Sequence, residues 1–256
     1  MRRSLAFAIG TFLILLVAGA AVISGCGENA PASLDYDKSP DNVLVEYWAG
    51  GGLPAPWDDS ISEFRLFGDG TVIRNDPTAK HLFLLKGWIG DDDVGKLLEE
   101  IKEAGFFGLK DEYINESVMD GVSQIITVNL KGEKKKVKVY MTDVREFDAT
   151  RKLLIDYPMN EAMADYEPEK GYLVVQKSRG GQKAALEPSN ELYGLLPGAA
   201  ALKEAADTRK PIEIDGASLA KLKRFESQQQ YVGFIVQADG VTYEISPVYK
   251  PRYPNG

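Results

Sequence analysis

The chain contains one cysteine and one histidine in 256 residues, so thiol and imidazole chemistry can reside only at Cys26 and His81. Cys26 follows Ile23, Ser24 and Gly25 at the end of an uncharged run that begins at Leu5 and stands behind Arg2 and Arg3. A basic start, an apolar core and small residues at the exit form the pattern of a secretory signal. The small residues suit a peptidase pocket at the Gly25–Cys26 bond, and a thiol beside that bond is exposed to alkylation. Two further readings of the run stand beside this one. It is long enough for a helix that crosses a bilayer, and it could be an ordinary signal with an incidental cysteine. In all three the arginines stay inside and the body is exported. A disulfide framework within the chain is excluded, since it would need an even set of cysteines.

His81 has no motif partner. A catalytic or ligand histidine needs a second group in reach, and spacing places none, so His81 is expected at an edge or on the surface. Asp69 lies between Gly68 and Gly70, where an aspartate is expected to make a turn rather than hold a metal. Asp91, Asp92 and Asp93 lack the alternating ligands and the glycine of a calcium loop. They precede an apolar stripe of Val94, Leu97, Leu98 and Ile101, so they are expected to cap a helix and face its positive end. No lysine and hydroxyl open a helix behind Gly180 and Gly181, which rules out a phosphate cradle there. Gly-x-Ser-x-Gly and His-Glu-x-x-His are absent. The 38 acidic residues offer too many pairs for a carboxylate couple to be picked out by spacing. No catalytic residue, metal ligand or cofactor is therefore expected. Trp48, Trp57 and Trp88, around a glycine- and proline-rich loop, are the candidate ligand contacts if they are exposed.

The elements that would position these residues are hairpins and amphipathic helices. A strand is expected from Val43 to Trp48, ended by Ala49 to Gly52, and a hairpin within Ser62 to Asn75, with Phe64, Leu66 and Val72 of strand character and a turn at Gly68-Asp69-Gly70, where Asp-Gly supplies positive φ. A short strand follows from His81 to Leu85. The Asp91 helix carries apolar residues at i, i+3, i+4 and i+7 and should stop at Gly105. A second hairpin joins Gln124–Leu130 to Lys134–Met141, with Val137, Val139 and Met141 on one face and Lys136, Lys138 and Tyr140 on the other. With Lys134 and Lys135 it makes one basic patch. Solvent-facing strand lysines that discourage edge pairing account for the patch, and contact with an anionic polymer or lipid headgroups is the functional alternative. Asp148 should cap a helix from Ala149 to Tyr157. Beyond it come a strand at Tyr172–Gln176, a helix at Ala199–Ala206, an Asp215-capped helix over Ala217–Ser227, and a hairpin of Tyr231–Val236 and Val241–Val248 turning at Ala238-Asp239-Gly240.

The expected fold is α+β, with antiparallel hairpins packed against amphipathic helices. The expected organisation is a signal over 1–25, a flexible tether over 26–42, a first domain over 43–165 and a smaller one over 171–253. An Asp-capped helix followed by a hairpin occurs twice, which leaves open a degenerate duplication or two common α+β units. A net charge of −8 argues against nucleic acid, whose phosphates demand a basic stripe.

Two resemblances follow from these residues. Ile23-Ser24-Gly25-Cys26 resembles a bacterial lipobox, which implies a diacylglyceryl group on the Cys26 thiol and cleavage between Gly25 and Cys26. Val45 to Tyr47, Gly50 to Gly52, Pro54 and above all Phe64 to Ile73 (FRLFGDGTVI) resemble a group of uncharacterised bacterial lipoproteins and secreted proteins. They share a strand, a loop and an Asp-Gly hairpin, then a helix and a second hairpin. The tail from Gly240 to Pro254 departs from the arginine-rich ending of that group. The resemblance implies no activity. The function expected is a non-catalytic binding or structural module of the cell envelope, lipid-anchored on the extracytoplasmic face of a bacterial membrane, with an envelope protein or glycan as partner. The alternatives are a carboxylate-dependent enzyme acting on cell-wall polymer and a protein inhibitor.

Overall fold

The computed structural model describes residues 31, 33–51, 61–159, 161–180 and 183–249. They form an α+β fold of hairpins packed with helices, in two sheets. In the first sheet β1 (Val43–Gly51) is central, and β2 (Phe64–Phe67) and β3 (Thr71–Asn75) form the expected hairpin beside it. β1 runs on through Gly50 and Gly51, past its expected end, because both pair with a neighbouring strand at Ser123 and Val122. In the hairpin turn only Gly70 takes a positive φ, of 85°. Asp69 closes the turn instead with its carboxylate, which accepts the Thr71 N–H at 2.9 Å.

The next strand, β4 (Leu84–Trp88), starts three residues later than expected. His81 is left in the loop before it, because the Lys80 N–H is taken at 3.0 Å by the carbonyl of Ser227, in the second half of the chain. Helix α1 (Asp91–Glu103) buries Val94, Leu97, Leu98 and Ile101 as its spacing dictates, and Gly105 follows it in the left-handed region. The aspartates do not cap it. Gly90 is the N-cap, with no side-chain cap bond, and the acids lie in the first turn, where they face the helix dipole.

Among the described residues four further strands and a second helix complete this half. β5 (Glu112–Ile114) pairs in parallel with β7 (Glu133–Tyr140), which is hairpinned to β6 (Val122–Leu130). The lysine strand is therefore not an edge. Val137 and Val139 are buried, but Met141 falls past the strand end with φ 50° and is exposed. Lys135 alternates onto the buried face, where its ammonium reaches the Leu109 carbonyl at 2.5 Å and Asp111 at 2.9 Å. Helix α2 (Arg145–Ile155) starts four residues before the expected Ala149, since Phe147 is part of the buried core. Asp148 sits inside the first turn and pairs with Arg151. β8 (Ala164–Asp165) closes the sheet, whose order is β5-β7-β6-β1-β2-β3-β4-β8. Residues 33–42, expected as a tether, are held on this sheet instead. Leu34 and Tyr36 pack on its core, and the Asp35 carbonyl accepts the Lys131 N–H at 2.8 Å.

The second sheet contains β9 (Lys170–Lys177), β10 (Ala184–Ala185), β11 (Ile212–Asp215), β12 (Phe234–Ala238) and β13 (Val241–Val248) in the order β10-β12-β13-β9-β11. β12 begins at Phe234, three residues after the expected Tyr231, where side chains first enter the core around Leu173, Leu202 and Ile245. Asp239 and Gly240 both take positive φ, the two-residue hairpin geometry. Helix α3 (Ala199–Thr208) packs on β9, and α4 (Gly216–Ser227) is capped by Asp215, whose carboxylate accepts the Ser218 N–H at 2.8 Å.

Candidate binding site between the two sheets

Helix α4 positions the site. It buries seven residues, including Lys223 and Glu226 as well as Leu219 and Leu222, so it is covered on more than one side. Two glycines let it sit this close. A Cβ on Gly216 would lie 1.6 Å from the Pro168 carbonyl oxygen, and one on Gly171 would lie 2.5 Å from the Leu219 Cβ. The end of α4 is then locked to the first half of the chain. The Arg224 guanidinium pairs with Asp165, stands 3.9 Å from Asp76, and lies 4.2 Å over the Phe83 ring.

A cavity of about 280 Å³ remains between α4, the end of β13 and the loops that precede β2 and β4. Ala49, Ile61, Leu82, Val232 and Val248 give it apolar walls, and Glu63, His81, Lys223, Glu226, Ser246 and Tyr249 bring polar groups to it. Mostly apolar walls with a few convergent polar groups are the usual makeup of a small-molecule site. Lys223 and Glu226 face each other at 2.5 Å with almost no exposure. The second Glu226 oxygen accepts the Gly233 N–H at 2.6 Å. Gly233 can serve there because its φ is 77°, a conformation that glycine reaches without cost. The Lys223 ammonium also lies 5.7 Å from the centre of the Tyr249 ring.

Tyr249 ties the two halves together. Its hydroxyl accepts the buried Leu84 N–H at 2.9 Å, and burial pushes its phenol far above the ordinary range, so it stays protonated. Tyr249→Phe is expected to leave that N–H without a partner and to cost about 1–3 kcal/mol. Urea denaturation measures it, and an unchanged midpoint would mean that the N–H finds another acceptor.

The remaining polar groups are less settled. Glu63 accepts from the Asn75 amide at 2.9 Å and has no lysine or arginine within ion-pair distance among the described residues. Burial holds its carboxyl above the ordinary range, with the Asn75 bond opposing. Asn75 also accepts the Phe83 N–H at 3.0 Å and so braces the loop that carries His81. His81, expected at the surface, lines the cavity. Its Nε2 is buried and has no hydrogen-bond partner among the described residues. A buried imidazole nitrogen without a partner is uncommon enough in native structures to require an explanation.

The other expected site residues are not gathered here. Trp48 lies on the face of the first sheet opposite the helices, in a shallow groove with Lys134, Lys136 and Lys138. That face is not freely basic, since Lys138 stands 3.9 Å from Glu112 and Glu46 is paired with Arg65. Trp88 is exposed on β4, three strands away from Trp48, and its indole N–H donates to the Asp69 carbonyl at 2.7 Å. Trp57, Cys26 and the Gly25–Cys26 bond lie outside the described residues. Sequence reasoning missed Lys223 and Glu226. The one local signal was the small residues Gly216 and Ala220, both buried, which permit close approach on a second side of the helix.

Among the described residues no cluster of histidine, cysteine, aspartate and glutamate could hold a metal ion, and no helix is long and apolar enough to cross a membrane. No protein-family model matches the chain, and no curated protein or solved structure matches it at a significant level. The fold and this site define an α+β protein whose two sheets close on a shared polar-lined cavity.

Proposed function

We propose that this chain is an extracytoplasmic lipoprotein, held at the membrane through lipid on Cys26, that works as a non-catalytic binding module of the cell envelope. Its ligand site is the cavity between the two sheets. The observation that carries the binding reading is a cavity built by both halves of the chain, with apolar walls and polar groups at Glu63, His81, Lys223 and Glu226. Both Glu226 oxygens are already engaged, so among the described residues the wall holds groups that orient a ligand but only one spare carboxylate. An acid–base mechanism on a glycan would need two. The anchor reading is supported by Cys26, the only cysteine, behind an uncharged run.

The two halves of the proposal are tested separately. Cys26→Ser is expected to release the protein from membranes or to leave an unprocessed precursor, and unchanged lipid labelling would overturn the anchor. His81 is the only histidine, so its ring gives a single set of magnetic-resonance signals. A low-molecular-mass extract of the envelope should shift them in the full-length, detergent-solubilised protein. An extract that leaves them unmoved would overturn binding at the cavity.

A further inference from the structure

We propose that the cavity between the two sheets takes a small organic cation, an amine whose ammonium group meets Glu63 and whose apolar body lies against Ile61, Leu82 and Val232. The inference rests on the cavity being a binding site, as proposed above, and adds the charge and class of what it binds. The charges in the wall select the sign. Glu63 and Glu226 stand against Lys223 alone, and Lys223 is already held by Glu226 at 2.5 Å. Immediately behind them Asp76 and Asp165 share the single cation Arg224. Among the described residues an anionic ligand would find no unpaired lysine or arginine in the wall and two negative charges in excess. A cation would find Glu63, the one wall carboxylate without a cationic partner among the described residues.

Three further observations favour an ammonium over another cation. An ammonium carries three donors and no acceptor, so it can donate to Glu63 without asking the wall for a donor in return. Burial holds the Glu63 carboxyl above its ordinary range, as expected of an acid still lacking its counter-charge. The volume of about 280 Å³ is that of about nine waters at roughly 30 Å³ each, enough for a short alkyl or cyclic amine. The apolar walls would desolvate the body of such a ligand and leave its charged end against the polar groups.

The test uses the full-length protein in detergent and reads the His81 ring signals. The probes are butylammonium, hexylammonium, cyclohexylammonium and choline, with cyclohexanol and cyclohexanecarboxylate as the neutral and anionic counterparts of the cyclic amine. At least one ammonium should shift the signals saturably, with the cyclic amine or a better-fitting one at least tenfold tighter than the alcohol and the acid. Glu63→Gln, which keeps the side-chain shape and the Asn75 contact, should weaken that binding at least tenfold while leaving the unliganded signals in place. Equal binding of the alcohol or the acid would overturn the cation inference and leave the cavity standing as a binding site. Silence of every ammonium, or tight binding that survives Glu63→Gln, would also overturn it. Failure of the binding reading itself is distinct, because then the envelope extract also leaves His81 unmoved.

Discussion

Glu226→Ala is expected to destabilise the protein by about 3–5 kcal/mol, because it leaves the Lys223 ammonium buried and uncompensated. Lys223 and Glu226 are only 7% and 0% exposed at their side chains, so neither can regain water without moving α4. The same change frees the Gly233 N–H, which now donates to Glu226. Urea denaturation of the single variant measures the loss. The double variant Lys223→Met, Glu226→Leu separates pair from site. Replacing both ions with apolar groups of similar volume is often neutral or stabilising, so the double variant should recover the part of the loss due to the stranded lysine and retain the cost, about 1–3 kcal/mol, of the unpaired Gly233 N–H. A single variant within about 1 kcal/mol of the parent protein would show that the lysine escapes to solvent and that the helix is not seated as described.

Gly216→Ala is expected to cost about 3 kcal/mol, the upper part of the range for overpacking a tight contact. The added Cβ would meet the Pro168 carbonyl oxygen at 1.6 Å, and that oxygen is backbone, so it cannot turn aside like the end of a flexible side chain. Pro168 lies between β8 and β9, in the short connection between the two sheets. The substitution must therefore move either that connection or the start of α4, and α4 carries Lys223 and Glu226 to the cavity. Chemical denaturation reads the stability. The His81 signals should change as well, since the helix end and the His81 loop are hydrogen-bonded through Lys80 and Ser227. Stability equal to that of the parent protein with unmoved His81 signals would show that the two halves do not meet through this glycine.

Elements whose specification is local were legible in the sequence. The Phe64–Asn75 hairpin, the apolar stripe of α1, the Asp215 cap and the Asp239-Gly240 turn each depend on residues within a few positions of one another. Boundaries were less legible. β1 runs through Gly50 and Gly51 because a distant strand pairs with them, and α2 begins early because Phe147 enters the core. The small strands β5, β8 and β10 have too few residues for periodicity to register, and they exist only because a partner strand offers them an edge.

The site was the least legible part, for a physical reason. His81 and Tyr249 are separated by most of the chain, and the bond that draws their loops together joins Leu84 to Tyr249 across 165 positions. A lysine and a glutamate three apart on a helix have the spacing of an exposed pair. Only the approach of the first sheet to a second side of α4 buries them. By itself the sequence determined the α+β class, the main hairpins and helices, and the position of its single thiol behind an apolar run. Tertiary structure decided that the lone histidine leaves the surface, that one of four lysines turns inward, and that two carboxylates share a cavity with one ammonium. Local propensity acts over a few residues, whereas burial is settled by what packs from the far end of the chain.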